Sequence, residues 1–199
     1  MTHRPAALQA FIDALAGALL VGRPNFTGRE IVERAIAALD ASVGVANATR
    51  APDLAVLSHL EAALSRARST SSDLGRVADA LTQLLSNLPW RQRTIDTADE
   101  GFASGHANVT IIGPGGMEDR HGFWIGASLV APGIRYPDHS HPPEEVYLLM
   151  TPAAFRHGGD GWSELRPGET FHNLPGIVHA MRADAEPLLA IWFLWPHDG

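Results

Sequence analysis

Five side chains in two separate stretches have the types and spacing to meet around a metal ion. In the segment Gly133-Ile134-Arg135-Tyr136-Pro137-Asp138-His139-Ser140-His141-Pro142-Pro143-Glu144-Glu145-Val146-Tyr147, the residues His139, His141, Glu145 and Tyr147 share odd parity. Wherever that chain is extended they project from one face, as convergent ligands must. Pro142 and Pro143 can bend the chain between the two pairs, so parity speaks more strongly within each pair than across them. Further along, Leu174-Pro175-Gly176-Ile177-Val178-His179 runs into another β-prone stretch and offers His179 as a further ligand. Two or three imidazoles with one carboxylate form an open nitrogen and oxygen site. It suits divalent iron, manganese, zinc or nickel and leaves positions for water or substrate.

The chain contains no cysteine, which excludes disulfides, thiolate metal sites and cysteine nucleophiles. Any metal must therefore be held by imidazole, carboxylate or phenolate. Tyr136 and Tyr147 are the only tyrosines, and both fall beside the cluster. His3, His59, His106, His121, His157, His172 and His197 are each expected to be structural or exposed. Glu144, of opposite parity to Glu145, is expected to be a solvated or supporting group, and Arg135 a surface residue or the partner of a carboxylate.

Two kinds of secondary structure must position these residues. From residue 5 to residue 88 apolar positions recur at helical spacing. Leu8, Phe11, Ile12, Leu15 and Leu19 form one stripe; Val32, Ala35, Ile36 and Leu39 form another; Leu57, Leu60 and Leu64, then Leu74, Val77, Leu81, Leu84 and Leu88, continue the pattern. Thr27-Gly28-Arg29-Glu30 fits a capping box, Pro52-Asp53 and Ser72-Asp73 open two more helices, and Pro89 stops the last.

After Trp90 the composition shifts to Gly, Pro, His and Trp, with β-prone runs at Val109–Ile112, Phe123–Val130, Val146–Thr151, Ile177–Arg182 and Leu188–Trp195. Gly113-Pro114-Gly115-Gly116, Pro132-Gly133, Gly158-Gly159-Asp160-Gly161 and Arg166-Pro167-Gly168-Glu169 supply the turns between them. The expected architecture is mainly β with an α-helical N-terminal region: helices over residues 1–90, then a small barrel or double-sheet jelly roll over residues 91–199.

Composition narrows the partners. With 15 Lys and Arg against 22 Asp and Glu, the 199-residue chain has a formal charge of −7, the wrong balance for a phosphate-tracking surface, so no nucleic acid is expected. No apolar run approaches the ~20 residues of a spanning helix, so no membrane partner is expected. Ala14 to Val21 resembles a secretory core, but Asp13 interrupts it and no small-residue cleavage pattern follows in Gly22-Arg23-Pro24-Asn25. A cytoplasmic protein, monomeric or homodimeric, is the expectation.

At its chemical residues the chain resembles the cupin superfamily, whose first motif runs G-x5-H-x-H-x3-4-E-x6-G. Gly133, His139, His141 and Glu145 fall on it in register, with Pro152 in place of the closing glycine. The second motif, G-x5-P-x-G-x2-H-x3-N, is met by Gly168, Gly176 and His179, with the proline shifted to Pro175 and Ala183 in place of the terminal asparagine. The helical region ahead of a single cupin unit, with Tyr136 before the histidines and Tyr147 after Glu145, is more narrowly similar to the bacterial cupin-type dimethylsulfoniopropionate lyases of the DddQ kind.

That resemblance implies a jelly-roll, double-stranded β-helix barrel and one divalent ion (Zn, Fe or Mn) held by His141, Glu145, Tyr147 and His179. His139 becomes a pocket residue or an alternative ligand. The implied reaction is β-elimination from a small zwitterion, giving acrylate and dimethyl sulfide. Tyr136 is the first candidate for the base and Tyr147 the second. A sulfonium is drawn to aromatic faces by roughly 0.5 to 2 kcal/mol each, which makes Trp124, Trp192 and Trp195 candidate substrate contacts beside Trp162. Trp192 and Trp195 have opposite parity, so at most one faces inward. Cupins with similar ligands also serve as dioxygenases, isomerases and binding modules, and these stand as the alternatives.

Overall fold

A computed structural model describes residues 3–23, 25–93 and 100–196; His197 lies outside them. Helix α1 (Ala6–Ala16) continues into a wider helical turn at Gly17–Val21, followed by α2 (Arg29–Ala41) and the short strand β1 (Val45–Ala46). A 3-10 turn at Ala55–His59 leads into α3 (Leu60–Thr70) and α4 (Ser72–Thr82), and α5 (Glu100–Gly105) precedes the main strands. These are β2 (His106–Ile112), β3 (Glu118–Asp119), β4 (Trp124–Val130), β5 (Arg135–His139), β6 (Glu144–Leu149), β7 (Ala153–His157), β8 (Ser163–Leu165), β9 (Thr170–Asn173), β10 (His179–Arg182) and β11 (Leu188–Trp195).

The strands form two sheets, ordered β1-β3-β2-β4-β11-β6-β9 and β5-β10-β7-β8. They pack face to face as a jelly roll: Tyr147 and Trp192 of the larger sheet share an apolar cluster with Tyr136, Phe155 and Met181 of the smaller. The two sheets do not close into one hydrogen-bonded barrel, so of the two expected layouts the double sheet holds.

The larger sheet is buried on both faces. On β11, Leu188, Ala190 and Trp192 enter the cluster between the sheets, whereas Leu189, Ile191 and Phe193 join the core that contains the helical stripes. Burial on both faces is why β11 reads as an unbroken apolar run. Leu8, Phe11, Ile12, Leu15 and Leu19 of α1 and its extension are all buried in that same core, as are Val32, Ala35, Ile36 and Leu39 of α2. Helices and strands thus share one apolar interior.

Several local signals resolve differently from expectation. The capping box at Thr27 does not form: Gly28 takes the N-cap position with φ 80° and no side-chain cap. A Cβ at Gly28 would come within 2.6 Å of both His172 and Val146, so close packing of this turn onto β6 and β9 decides its geometry. Helix α4 is capped by Ser71, one residue before the expected opening, with its hydroxyl accepting from the Leu74 amide at 3.2 Å. The segment after Pro52-Asp53 begins as the 3-10 turn rather than as an α-helix, and α4 ends at Thr82, well before Pro89. Helix α5 and the short strands β7, β8 and β9 lacked a periodic apolar run to announce them.

A buried charge cluster ties the helices to the edge of the larger sheet. Arg4, just before α1, donates to Glu118 of β3 at 2.6 Å and to the carbonyls of Leu39 and Ser42 at 3.0 and 3.2 Å. Glu118 also accepts from the Gly44 amide at 2.8 Å and from Arg120 at 3.3 Å. Burial alone would raise its carboxyl, but these donors, Arg4 foremost, hold it below the usual range. Replacing Glu118 by Ala should cost about 3 kcal/mol by leaving Arg4 buried without its anion, read as a lower denaturant midpoint at neutral pH. Because the folded carboxyl is the stronger acid, the wild-type advantage should fade as pH falls through the carboxylate range.

Candidate metal centre

The two sheets bring the candidate ligands together from opposite sides. His139 ends β5 and lies in register opposite His179, which begins β10. An irregularity between His179 and Met181 shifts the pairing next to the site. His141 lies in the connection from β5 to β6, where Pro142 and Pro143 turn the chain. Glu145 and Tyr147 come from β6 in the facing sheet. The ligand atoms of His139, His141 and His179 all lie within 4.8 Å of one another. Glu145 Oε2 is 3.2 Å from His141 Nε2 and 3.4 Å from His179 Nε2.

Each imidazole is oriented by its own backbone. Nδ1 of His139 faces the Pro137 carbonyl at 2.9 Å, that of His141 the Pro143 carbonyl at 2.9 Å, and that of His179 the Ile177 carbonyl at 3.1 Å. A carbonyl only accepts, so each Nδ1 carries the hydrogen and each neutral ring presents the Nε2 lone pair to the pocket. The residue two before each of His139 and His179, and two after His141, supplies that carbonyl.

The consequence is an arrangement short of positive charge. His179 Nε2 is buried and, among the described residues, has no aligned hydrogen-bond partner. His141 Nε2, a lone pair in the neutral ring, faces a carboxylate oxygen. Two acceptors at that separation repel unless a proton or a cation lies between them. The residues therefore fit a divalent ion, with three imidazole nitrogens and a carboxylate oxygen converging in a mostly buried space.

Protonation follows the same logic. Burial pushes His139 down to about 4, helped by repulsion from His179. Burial also opposes the charged form of His141, but its hydrogen bond and attraction to Glu145 outweigh this and raise it. Burial alone would raise Glu145, yet the facing imidazoles of His141 and then His179 bring it to about 2. Tyr147 is pushed well above its usual value by burial first and the Glu145 charge second. Glu145 also accepts from Asn173 Nδ2 at 2.8 Å, and Asn173 Oδ1 in turn accepts from His157 Nε2 at 2.9 Å.

Tyr136 stands against His139, with ring centroids 4.7 Å apart, and is buried. Phe102 and His106 pack edge-on to it at 4.7 and 5.4 Å. Its hydroxyl oxygen accepts from Asn108 Nδ2 at 3.1 Å. Trp192 lies in register beside Tyr147 and on the same inner face. A Cβ at Gly126 would run into the Trp192 indole, so glycine there lets the ring lie flat on the sheet. Trp192 also lines a cavity of about 140 Å³ with Arg91, Asn108, Thr110 and Gly115. Trp124 packs at the end of the inner cluster. Trp195 points the other way, stacked on Phe123 at 5.8 Å beneath Arg34 in the helical core, and is not brought to the pocket. Trp162 is likewise elsewhere, beneath the guanidinium groups of Arg156 and Arg182.

Sequence reasoning left out Asn108, Ser128 and Asn173, which belong to no motif. Ser128 and Asn173 show only as polar residues at inward positions of strands otherwise apolar on that face, and Asn108 sits between His106 and Thr110 on the polar face of β2. His106, expected to be structural or exposed, is fully buried, its Nε2 accepting from the Arg93 amide at 2.8 Å. Glu144, opposite in parity to Glu145 as expected, pairs with His172 at 2.6 Å under the start of α2.

Fold and site together define a cupin-like double-sheet jelly roll whose inner faces gather three histidines and a glutamate that could hold a metal ion. A family model of dimethylsulfoniopropionate lyases matches residues 27–190, and the chain belongs to that family. The dimethylsulfoniopropionate lyase DddQ of Ruegeria pomeroyi is 31% identical over 98 residues, 49% of this chain and 48% of that protein. The chain's matches span about half the length of its curated relatives. The solved structure of DMSP lyase DddQ from Ruegeria pomeroyi DSS-3 superposes with a TM-score of 0.65 at 22% identity, covering 94% of this chain and 91% of that one. A structure from work on the DMSP lyases RdDddP and RnDddQII gives a TM-score of 0.68 at 20% identity over 96% of this chain and 92% of the other. At such identities these two structures support the fold.

Metal affinity should depend on pH through His141. Its ring must be neutral to bind a cation, and its raised pKa means that a proton is displaced. Affinity for Mn(II) or Zn(II), measured by competition with a chromophoric chelator, should fall by about tenfold per pH unit below the His141 pKa. His139, near 4, adds to the slope only in stronger acid.

Proposed function

We propose that the protein is a metal-dependent lyase that splits dimethylsulfoniopropionate into acrylate and dimethyl sulfide. The observation that carries this reading is the convergence of three fixed Nε2 lone pairs and the Glu145 carboxylate beside two buried phenols, in a chain of this family. The ligands we assign are His141, Glu145 and His179, with His139 completing the group. Tyr147, which the family resemblance puts at the metal, is assigned here to the carboxylate of Glu145. A divalent ion such as Zn, Fe or Mn bound there would supply positive charge for the substrate carboxylate and for the charge that spreads onto it as the neighbouring carbon loses its proton.

The chain's own groups account for the rest. Tyr136, as phenolate, accepts the proton from the carbon next to the carboxylate. The electron pair left behind forms the carbon–carbon double bond, the bond to sulfur breaks, and sulfur leaves with that bonding pair as neutral dimethyl sulfide. Tyr147, held strongly protonated by burial and by Glu145, serves as a donor rather than as the base. Trp192, flat on Gly126 and beside Tyr147, offers the sulfonium an aromatic face. The two facing sheets limit access of water to the site.

Protein reconstituted with Mn(II), Fe(II) or Zn(II) should release dimethyl sulfide from dimethylsulfoniopropionate under argon, detected by headspace gas chromatography. An absolute requirement for O₂ would instead favour an oxygenase. His139→Ala, His141→Ala, Glu145→Ala and His179→Ala should lose bound metal together with rate, whereas Tyr147→Phe should keep the metal. Tyr136→Phe should keep the metal and lower kcat by about 10² to 10⁴.

A further inference from the structure

Tyr136 has a partner that no motif marks. Asn108 of β2 and Ser128 of β4 occupy paired positions on adjacent strands, both on the inner face of the larger sheet. Ser128 is buried and its hydroxyl donates to Asn108 Oδ1 at 2.6 Å. That bond occupies the amide oxygen and leaves Nδ2 to find another acceptor. Asn108 Nδ2 then points across the gap between the sheets and donates to the Tyr136 hydroxyl oxygen at 3.1 Å. Tyr136 belongs to β5 in the opposite sheet, so this contact ties the phenol to a strand it does not pair with.

From this geometry we infer that Ser128 and Asn108 form a positioning pair that aims the oxygen of Tyr136 for proton abstraction. The inference rests on Tyr136 being the base proposed above. A phenol swings about its ring axis and Cα–Cβ bond. The edge-on contacts with Phe102 and His106 restrain the ring but bond to nothing on its oxygen. The Asn108 amide supplies that bond. Because it donates, the phenol's own hydrogen must point away from Asn108, and in the phenolate the amide still has an acceptor to bond to. An amide of the opposite orientation would take the phenolic proton as an acceptor and hold it against transfer. With its hydroxyl donating to Oδ1, Ser128 supports the orientation in which Nδ2 faces the phenol. Both residues act through Tyr136, and Asn108 is a positioning residue rather than a catalytic one.

The test is a double-mutant cycle on metal-reconstituted full-length protein, with metal content and melting temperature recorded for every variant. Asn108→Asp replaces the amide donor by a carboxylate facing the phenol oxygen. It should lower kcat by about a hundredfold with KM changed less than about threefold, since the loss falls on the proton-transfer step. Ser128→Ala, which frees the amide to turn over, should lower kcat by about tenfold, and Ser128→Thr should restore it. Combined with Tyr136→Phe, Asn108→Asp should add no further loss, because the group through which it acts is gone. Unchanged or raised kcat in Asn108→Asp would overturn the assignment by showing an acceptor at the phenol. Multiplying losses in the double variant would overturn it too, by showing a role independent of Tyr136. Should Asn108→Asp fail to fold, the Ser128→Ala and Ser128→Thr pair decides alone. If Tyr136→Phe itself keeps the full rate, the base assignment fails instead, an outcome distinct from failure of the Asn108 link.

Discussion

Electrostatic repulsion between acceptors organises the interior of this protein. Three backbone carbonyls take the Nδ1 hydrogens of His139, His141 and His179, and this turns three Nε2 lone pairs toward one point beside the Glu145 carboxylate. Lone pairs and an anion gathered away from water are unfavourable without positive charge. The raised pKa of His141, the depressed pKa of Glu145 and the unpaired Nε2 of His179 are three expressions of that deficit. A proton satisfies it partly and a divalent cation more fully, so metal and acid compete for the same place.

The rest of the fold holds these acceptors where they repel. Neither sheet carries the full set: His139 and His179 come from the smaller, Glu145 and Tyr147 from the larger, and His141 from the link between them. Glu145 is restrained by Asn173 and, through it, by His157. The outer face of the larger sheet is covered by α1 to α4, and Arg4, bound to Glu118, fixes the start of that cover to the sheet edge. The helices thereby let β11 and β6 be apolar on one side while the other lines the pocket.

Much of this could be read from residue types and spacing. Odd parity put Glu145 and Tyr147 on one face, and the opposite parity of Trp192 and Trp195 separated an inner ring from an outer one, as found. Helical stripes such as Leu8, Phe11, Ile12 and Leu15 are buried as their period implies. Local rules failed where tertiary contact overrides them. Thr27 loses its cap because Gly28 must fit against His172 and Val146. The roles of Asn108, Ser128 and Asn173 depend on which strands become neighbours across the gap between the sheets, and a single strand's pattern carries no such information. The family resemblance leaves His139 open between pocket residue and ligand. Its register opposite His179, a long-range pairing, brings it into the group.

The central claim is that these acceptors are arranged for a cation. A crystal structure of the protein grown with Mn(II), with anomalous data collected for that ion, tests it most directly. The account predicts one strong peak bounded by Nε2 of His139, His141 and His179 and by an oxygen of Glu145. A peak elsewhere, or His141 and Glu145 in direct contact with no ion between them at neutral pH, would contradict it.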